Sequence, residues 1–250
     1  MHVSDDIRLG PVLIPNADTS NPAPMSLGVG PIGRVYVWDT VPATLSTTAI
    51  AAVQTQVGAA NFTLTASGNS ASSVTRPDGT TAIQLDVPRA ITLTVATTNQ
   101  SGVNFTITGF DQYGQPMSEL LAGPNNNTVT GKKAFKQVTN VACSGAVSTN
   151  GVSVGTSDTF GIPYRVTDKT YVVNVKWNNT LAADAGTVTV ADTTSPATTS
   201  TGDVRGTYVP SSGASDGSKR LVMVIALPAL AAGPSATRIG AVGVNQNLVV

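Results

Sequence analysis

The chain has 250 residues, only 11% of them charged, and its 14 Lys and Arg balance its 14 Asp and Glu to a formal net charge of zero. That balance offers no field to concentrate nucleic acid or an anionic membrane surface, and the single cysteine, Cys143, excludes a disulfide framework and any multi-cysteine metal site. A chain of this length can bury a core without such staples, so its surface must be covered by Thr, Ser, Asn, Gln and Gly, which are cheaper to bury against a partner than ions.

Residues 1–30 carry Pro11, Pro15, Pro22 and Pro24, which fix φ and remove amide donors, so the segment reads as an extended N-terminal arm. Val12, Leu13 and Ile14 form an aliphatic cluster within it and are the candidate interface residues, to be buried on the chain's own domain or on a neighbouring subunit. The opening MHVSDDIRLG has no charged-then-apolar signal pattern, which predicts synthesis and retention in the cytoplasm. Gly28, Gly30 and Gly33 match the G-x-G-x-x-G spacing of a dinucleotide-binding turn, but here a proline-rich segment precedes and a strand-like Arg34–Trp38 follows, the reverse of the required order.

Residues 31–166 read as a β-sandwich domain, and 167–250 as a second β-rich region that either stands alone or completes the first. Thr44 to Gly58, with Ala49, Ala51 and Ala52, is the one place where a short helix or irregular loop is expected. From Gln84 to Val166 the pattern is an antiparallel meander. Ile91, Leu93 and Val95 share one face and Thr92 and Thr94 the other, while Arg76–Gly79 and Asp111–Gly114 are turns. Lys132, Lys133 and Lys136 form the one tight basic group, read as a solvated hairpin end. Further on, Tyr171, Val173, Val175 and Trp177 line one face of a strand. Ala191 to Gly202 is expected to be a mobile surface loop, Val204–Val209 and Arg220–Leu227 flank a turn as a long hairpin, and Gly233 to Val250 supplies a last edge strand. The longest apolar run, Leu221 to Gly233, carries Pro228 and falls short of the roughly 20 residues a membrane helix needs.

Candidate chemistry is sparse. The only histidine is His2, so a histidine-based triad or metal centre has no partner set. Asp111 and Glu119 flank one turn and could face each other as a glycosidase pair. The plainer reading makes Asp111 a turn cap and Glu119 a solvated strand residue. Asp184, Asp192, Asp203 and Asp216 lack the spacing of a calcium loop and read as turn residues. Catalytic, cofactor and metal sites are all expected to be absent.

The strings GFDQYGQPMSE (109–119), the following GPN, the strand GKKAFKQVTNV and the closing GTSDTFGIPYRV resemble a recurrent segment of β-rich virion structural proteins of tailed bacteriophages. The resemblance spans about the middle third of the chain and carries no catalytic residue. It implies a late, non-enzymatic structural subunit of the virion, made in the host cytoplasm. Capsid cement or decoration on the major capsid protein is the first reading, and a tail or head-fibre component the alternative. So sparsely charged a chain is expected to form a homo-oligomer with no nucleic-acid or membrane partner, and the resemblance implies a trimer by preference. A carbohydrate-binding or adhesin module is the reading from another class; 5% aromatic content and the placing of Trp38 and Trp177 in predicted strands speak against it, and exposed Trp side chains on one face would favour it. The fold expected on all these grounds is all-β, an antiparallel sandwich or jelly-roll-like architecture with the proline-rich arm.

Overall fold

Short runs of β-branched and apolar residues alternating with Thr, Ser and Asn can bury one face only as strands, and strands make up nearly all the regular structure. The computed structural model describes residues 32–227 and Gln246, and the strand course of Val3–Arg8, Leu13–Ile14 and Met25–Ser26. In chain order the strands are β1 (Val3–Arg8), β2 (Leu13–Ile14), β3 (Met25–Ser26), β4 (Ile32–Thr40), β5 (Ala51–Gln56), β6 (Ala60–Asn61), β7 (Ala71–Thr75) and β8 (Thr81–Thr94). They continue as β9 (Asn104–Phe110), β10 (Pro116–Ala122), β11 (Thr128–Cys143), β12 (Val147–Gly161), β13 (Val172–Lys176), β14 (Thr187–Thr189), β15 (Thr207–Val209) and β16 (Leu221–Leu227).

The protein is all-β and antiparallel. A strongly curled sheet, close to a half-barrel, runs in the order β10-β9-β11-β8-β12-β15-β14, with β5, β6 and β7 pairing onto β12, β11 and β8. A small sheet, β4-β16-β13, has β1 on its β4 edge. Inside the curl lies one core, in which Ile91 and Leu93 pack with Phe105, Ile107, Phe135, Val141 and Val154, and Phe62 meets Phe105 edge-on at 5.8 Å. A second core lies where the small sheet covers the large one. Trp38, Leu221, Met223 and Ile225 of the small sheet pack there with Phe160 and Tyr208 of the large, and Tyr36 stacks on Tyr164 at 3.9 Å. This core gathers residues from both sides of Val166.

The turn signals act as their chemistry requires. Asp111 Oδ1 accepts from the amides of Tyr113 and Gln115 at 2.8 and 2.9 Å, and Gly114 takes φ 77, so the chain reverses between β9 and β10. Arg76–Gly79 joins β7 to β8, with the Gly79 amide donating to the Arg76 carbonyl at 2.9 Å. Ile91, Leu93 and Val95 face the core as the alternation predicts. Cys143 is a small buried residue whose thiol points at the carbonyls of Gly58 and Ala60.

Three expectations are corrected. Within Thr44–Gly58 the regular element is a strand, β5, not a helix. Ile50 donates its amide to the Val154 carbonyl at 3.0 Å, and Ala49, Ile50 and Ala51 are wholly buried, so pairing and burial outweigh a marginal helix propensity. Val204–Val209 and Arg220–Leu227 do not form a hairpin. β15 pairs with β12 and β14, whereas β16 pairs with β4 and β13, so the Ser211–Gly217 segment crosses from one sheet to the other and the two strands meet across the second core. Val173 does not share a face with Val175 and Trp177. The β13–β16 register shifts between Val172 and Asn174, and this reverses the alternation and leaves Val173 exposed.

Val12 lies outside the described residues, and Leu13 and Ile14 are described only as β2, paired with β3. The expected strand over Gly233 to Val250 also lies outside them, apart from Gln246.

Candidate functional site: a belt of buried charges at the strand bulges

The three longest strands lose register at the same level of the sheet. Between the pairs Thr130↔Thr92 and Ala134↔Ala90, β11 advances four residues while β8 advances two; between Thr156↔Ile91 and Phe160↔Arg89, β12 does the same. Between Phe135↔Arg89 and Gln137↔Gln84 the excess lies on β8, around Pro88. Proline has no amide to give a ladder, so a bulge is where a strand interior tolerates it. Each bulge frees backbone groups that must find other partners.

Charged side chains are those partners. Lys136 Nζ donates to the carbonyls of Leu85 and Asp86 at 2.6 and 2.7 Å, capping the β8 bulge. Glu119 Oε1 accepts from the amides of Lys132 and Lys133 at 2.5 and 3.3 Å, and Asp203 Oδ2 accepts from the Ala134 amide at 3.0 Å, closing the β11 bulge. On β12, the Ser157 hydroxyl donates to the Ala90 carbonyl at 3.0 Å, and its own carbonyl accepts from Arg89.

Arg89 is the hub. Its side chain is fully buried, and its fork grips Asp86 with Nε and Nη2 at 2.8 and 2.7 Å. Nη1 reaches Asp158 at 3.1 Å, and Nη2 also donates to the Ala43 carbonyl at 2.6 Å. Asp158 in turn accepts from the Ser215 amide and hydroxyl at 2.7 and 2.6 Å. One guanidinium therefore ties β8, β12, the approach to β5 and the Ser211–Gly217 crossover together, with its planar fork matched to a carboxylate. A second buried pair, Asp111 with Arg205 at 2.6 Å, bolts the β9–β10 turn to the segment before β15.

The carboxylates read as a possible hydrolytic pair are thus placed in separate structural roles. Asp111 is a turn cap, as expected, and also an ion-pair partner. Glu119 is corrected from a solvated strand residue to one that is 3% exposed. It lies under Gly131, where an added Cβ would come within 2.4 Å of its Oε2, so only glycine lets the bulge close over the carboxyl. The basic group is corrected too. Lys133 is buried and donates to the Gly202 carbonyl at 3.3 Å, Lys136 is held inside the β8 bulge, and only Lys132 is exposed. Asp184, Asp192 and Asp216 bind nearby amides as turn residues do, and Asp203 does so while fully enclosed. Asp192 accepts from the amides of Thr194 and Gly202 and so ties down both ends of the Ala191–Gly202 loop.

Burial pushes the Glu119 carboxyl up to about 7, against the pull of the Lys132 and Lys133 amides and the Lys133 ammonium. Asp203 is raised by the same cause, and burial lowers Lys133 itself. Below the ordinary 4.5 the Glu119 proton is present in both folded and unfolded chains. Between 4.5 and about 7 only the folded chain holds it, so stability falls as the pH rises through that window and levels off above it. The interval corresponds to roughly 3 kcal/mol. Urea unfolding midpoints should therefore be higher near the acid end of the window than above it, and Glu119→Gln should remove most of that slope, leaving the share of Asp203.

Outside the belt the surface is mostly hydroxyl and amide, with isolated charges such as the exposed Arg220–Asp39 pair. Thr130, Thr159, Thr189, Thr193, Thr194 and Ser200 are among the residues lining an open trough of about 1010 Å³ beside the exposed Lys132. Among the described residues no group of three or more His, Cys, Asp or Glu could hold a metal ion, and no helix is long and apolar enough to cross a membrane. The sequence signal for the belt was available: a Pro88 inside a strand pattern, flanked by Asp86 and Arg89, marks a bulge with its own ion pair. No protein-family model, no curated protein and no solved structure matches the chain.

Proposed function

We propose that the chain is a non-enzymatic structural subunit of a tailed-phage virion, with capsid cement or decoration on the major capsid protein as the first reading. The observation that carries it is where the charges are. A chain with few charges sets Arg89, Asp111, Glu119, Lys133, Asp203 and Arg205 inside the fold, where they hold strand bulges and turns together. What faces outward is then poorer in ions than the composition alone implies. A surface of hydroxyls and amides loses little when a neighbour removes its water, whereas exposed ions would oppose that step. Such a surface suits a subunit packed permanently among others, and closed homo-oligomers, here a trimer, are the usual assembly.

Both tryptophans lie buried in the second core, at 5% and 1% exposure, and the Trp177 indole donates to the Ser212 carbonyl at 3.0 Å. Neither offers a face on which a sugar could stack, which favours the structural reading over an adhesin. A mass-spectrometric inventory of purified particles of the phage carrying this gene, with stoichiometry against the major capsid protein, tests the proposal. A fixed copy number close to a simple ratio with the capsid protein is expected. Absence from the particles would overturn it, and a handful of copies per particle would move it to the tail or head fibre.

A further inference from the structure

Lys133, Asp203 and Glu119 are all buried beside the β11 bulge, yet they lack the mutual pairing that buried ions need. A lysine ammonium has three donors. Among the described residues the Lys133 side chain makes one hydrogen bond, from Nζ to the Gly202 carbonyl at 3.3 Å, and no ion pair within 4.0 Å. So poor a shell disfavours the charge, and burial accordingly lowers the Lys133 pKa toward the free amine. Glu119 is its counterpart among the acids. Its Oε1 is taken by two backbone amides, but its enclosed Oε2 has no partner, which favours the protonated carboxyl. Asp203 is held by both oxygens: Oδ1 accepts from the Arg205 amide at 2.9 Å and Oδ2 from the Ala134 amide at 3.0 Å. Two such donors stabilise the charge that develops if the carbon between those oxygens becomes tetrahedral.

We propose that Lys133 and Asp203 join through a side-chain amide bond, with Glu119 carrying protons between them. Nζ already rests on the carbonyl of Gly202, the residue bonded to Asp203, and a rotation about the outer lysine torsions turns it to the neighbouring carboxyl. The neutral amine then attacks Cγ of the protonated Asp203, forming the N–C bond. Glu119, close enough to both to feel their charges, takes a proton from the nitrogen and returns one to the departing oxygen. The C–O bond breaks and one water leaves. Amine and acid thus become amide and water, with no change of oxidation state. Enclosure favours the product, because it withholds the water that would reverse the step. Asp192 also acts on the Lys133 charge, but it lies partly exposed and the Gly202 and Thr194 amides keep it ionised, so it is the poorer acceptor. The bond ties the β11 bulge covalently to the segment entering β15.

The intact mass of the purified full-length chain, measured under denaturing conditions, tests this. It should lie one water below the mass of the unlinked chain, and tandem mass spectrometry of a tryptic digest should find one branched peptide joining Lys133 to Asp203, with no cleavage after Lys133. Lys133→Met and Asp203→Ala should each restore the full mass. Glu119→Gln keeps the shape but cannot relay a proton, so in chains shown by circular dichroism to be folded it should slow linkage about a hundredfold or more. Linkage at an unchanged rate in that variant would overturn the role given to Glu119. The unsubstituted chain decides the bond itself, whether or not the variants fold. A mass with no water lost after prolonged incubation would overturn the proposal. So would a water lost elsewhere, as in a succinimide at Asp78-Gly79 or Asp216-Gly217, because the branched peptide would then be missing.

Discussion

Replacing Arg89 by methionine is expected to destabilise the fold by about 3–5 kcal/mol, the loss typical when one partner of a buried ion pair is removed. The side chain has no contact with water and five hydrogen-bonding N–H groups, directed at Asp86, Asp158, Ser215, the Ala43 carbonyl and the Ser157 carbonyl. Methionine fills a similar volume and satisfies none of them. It leaves two mostly buried carboxylates facing each other across the bulge, and it unties the Ser211–Gly217 crossover from the large sheet. For a chain of this size the melting temperature should fall on the order of 10 °C. Arg89→Lys keeps the charge but not the fork, so it should recover only a minor part. Adding Asp86→Asn and Asp158→Asn to Arg89→Met should recover more, because the uncompensated charges are then gone. A loss below about 1 kcal/mol for Arg89→Met would show that the belt is not what joins the two cores.

Strand positions and turns were legible because they depend on local rules: the period of two in Ile91-Thr92-Leu93-Thr94-Val95, and the polar-to-glycine turns at Arg76 and Asp111. What was not legible depends on partners distant in sequence. Nothing beside Glu119 indicates that a β11 bulge needs a carboxylate, and the Lys132–Lys136 cluster looks solvated until its β8 and loop partners are placed against it. Ala49–Ala51 has weak preferences of its own and takes the conformation that β12 offers. The strand at Leu221–Leu227 is legible as a continuous apolar run, but its assignment to the small sheet follows from Trp38 and Met223 sharing a core that no local pattern describes. The exposed Arg220–Asp39 pair beside it is the kind of contact that adds little either way.

Asp111→Asn isolates the second buried pair and should also cost about 3–5 kcal/mol, even though the substitution changes one oxygen to nitrogen. Asp111 Oδ1 can still accept from the Tyr113 and Gln115 amides when the residue is asparagine, so the β9–β10 turn itself is retained. The change falls at Oδ2, which now accepts from Arg205 Nη2 at 2.6 Å in a pair whose side chains are 0% and 3% exposed. An NH2 group there sets donor against donor and takes the carboxylate charge away from the buried guanidinium. Tyr113 feels this as well, because Arg205 lies 5.1 Å from its ring centroid and its hydroxyl donates to the Pro163 carbonyl at 2.7 Å. The substitution should therefore loosen the link between the β9–β10 turn and the segment entering β15, leaving the strands of the first core intact. A double-mutant cycle with Arg205→Met separates the pair from its surroundings. If the ion pair is the cause, the double variant should be less destabilised than the sum of the single ones, by at least about 1 kcal/mol. Strict additivity would instead place the cost of Asp111→Asn in the turn.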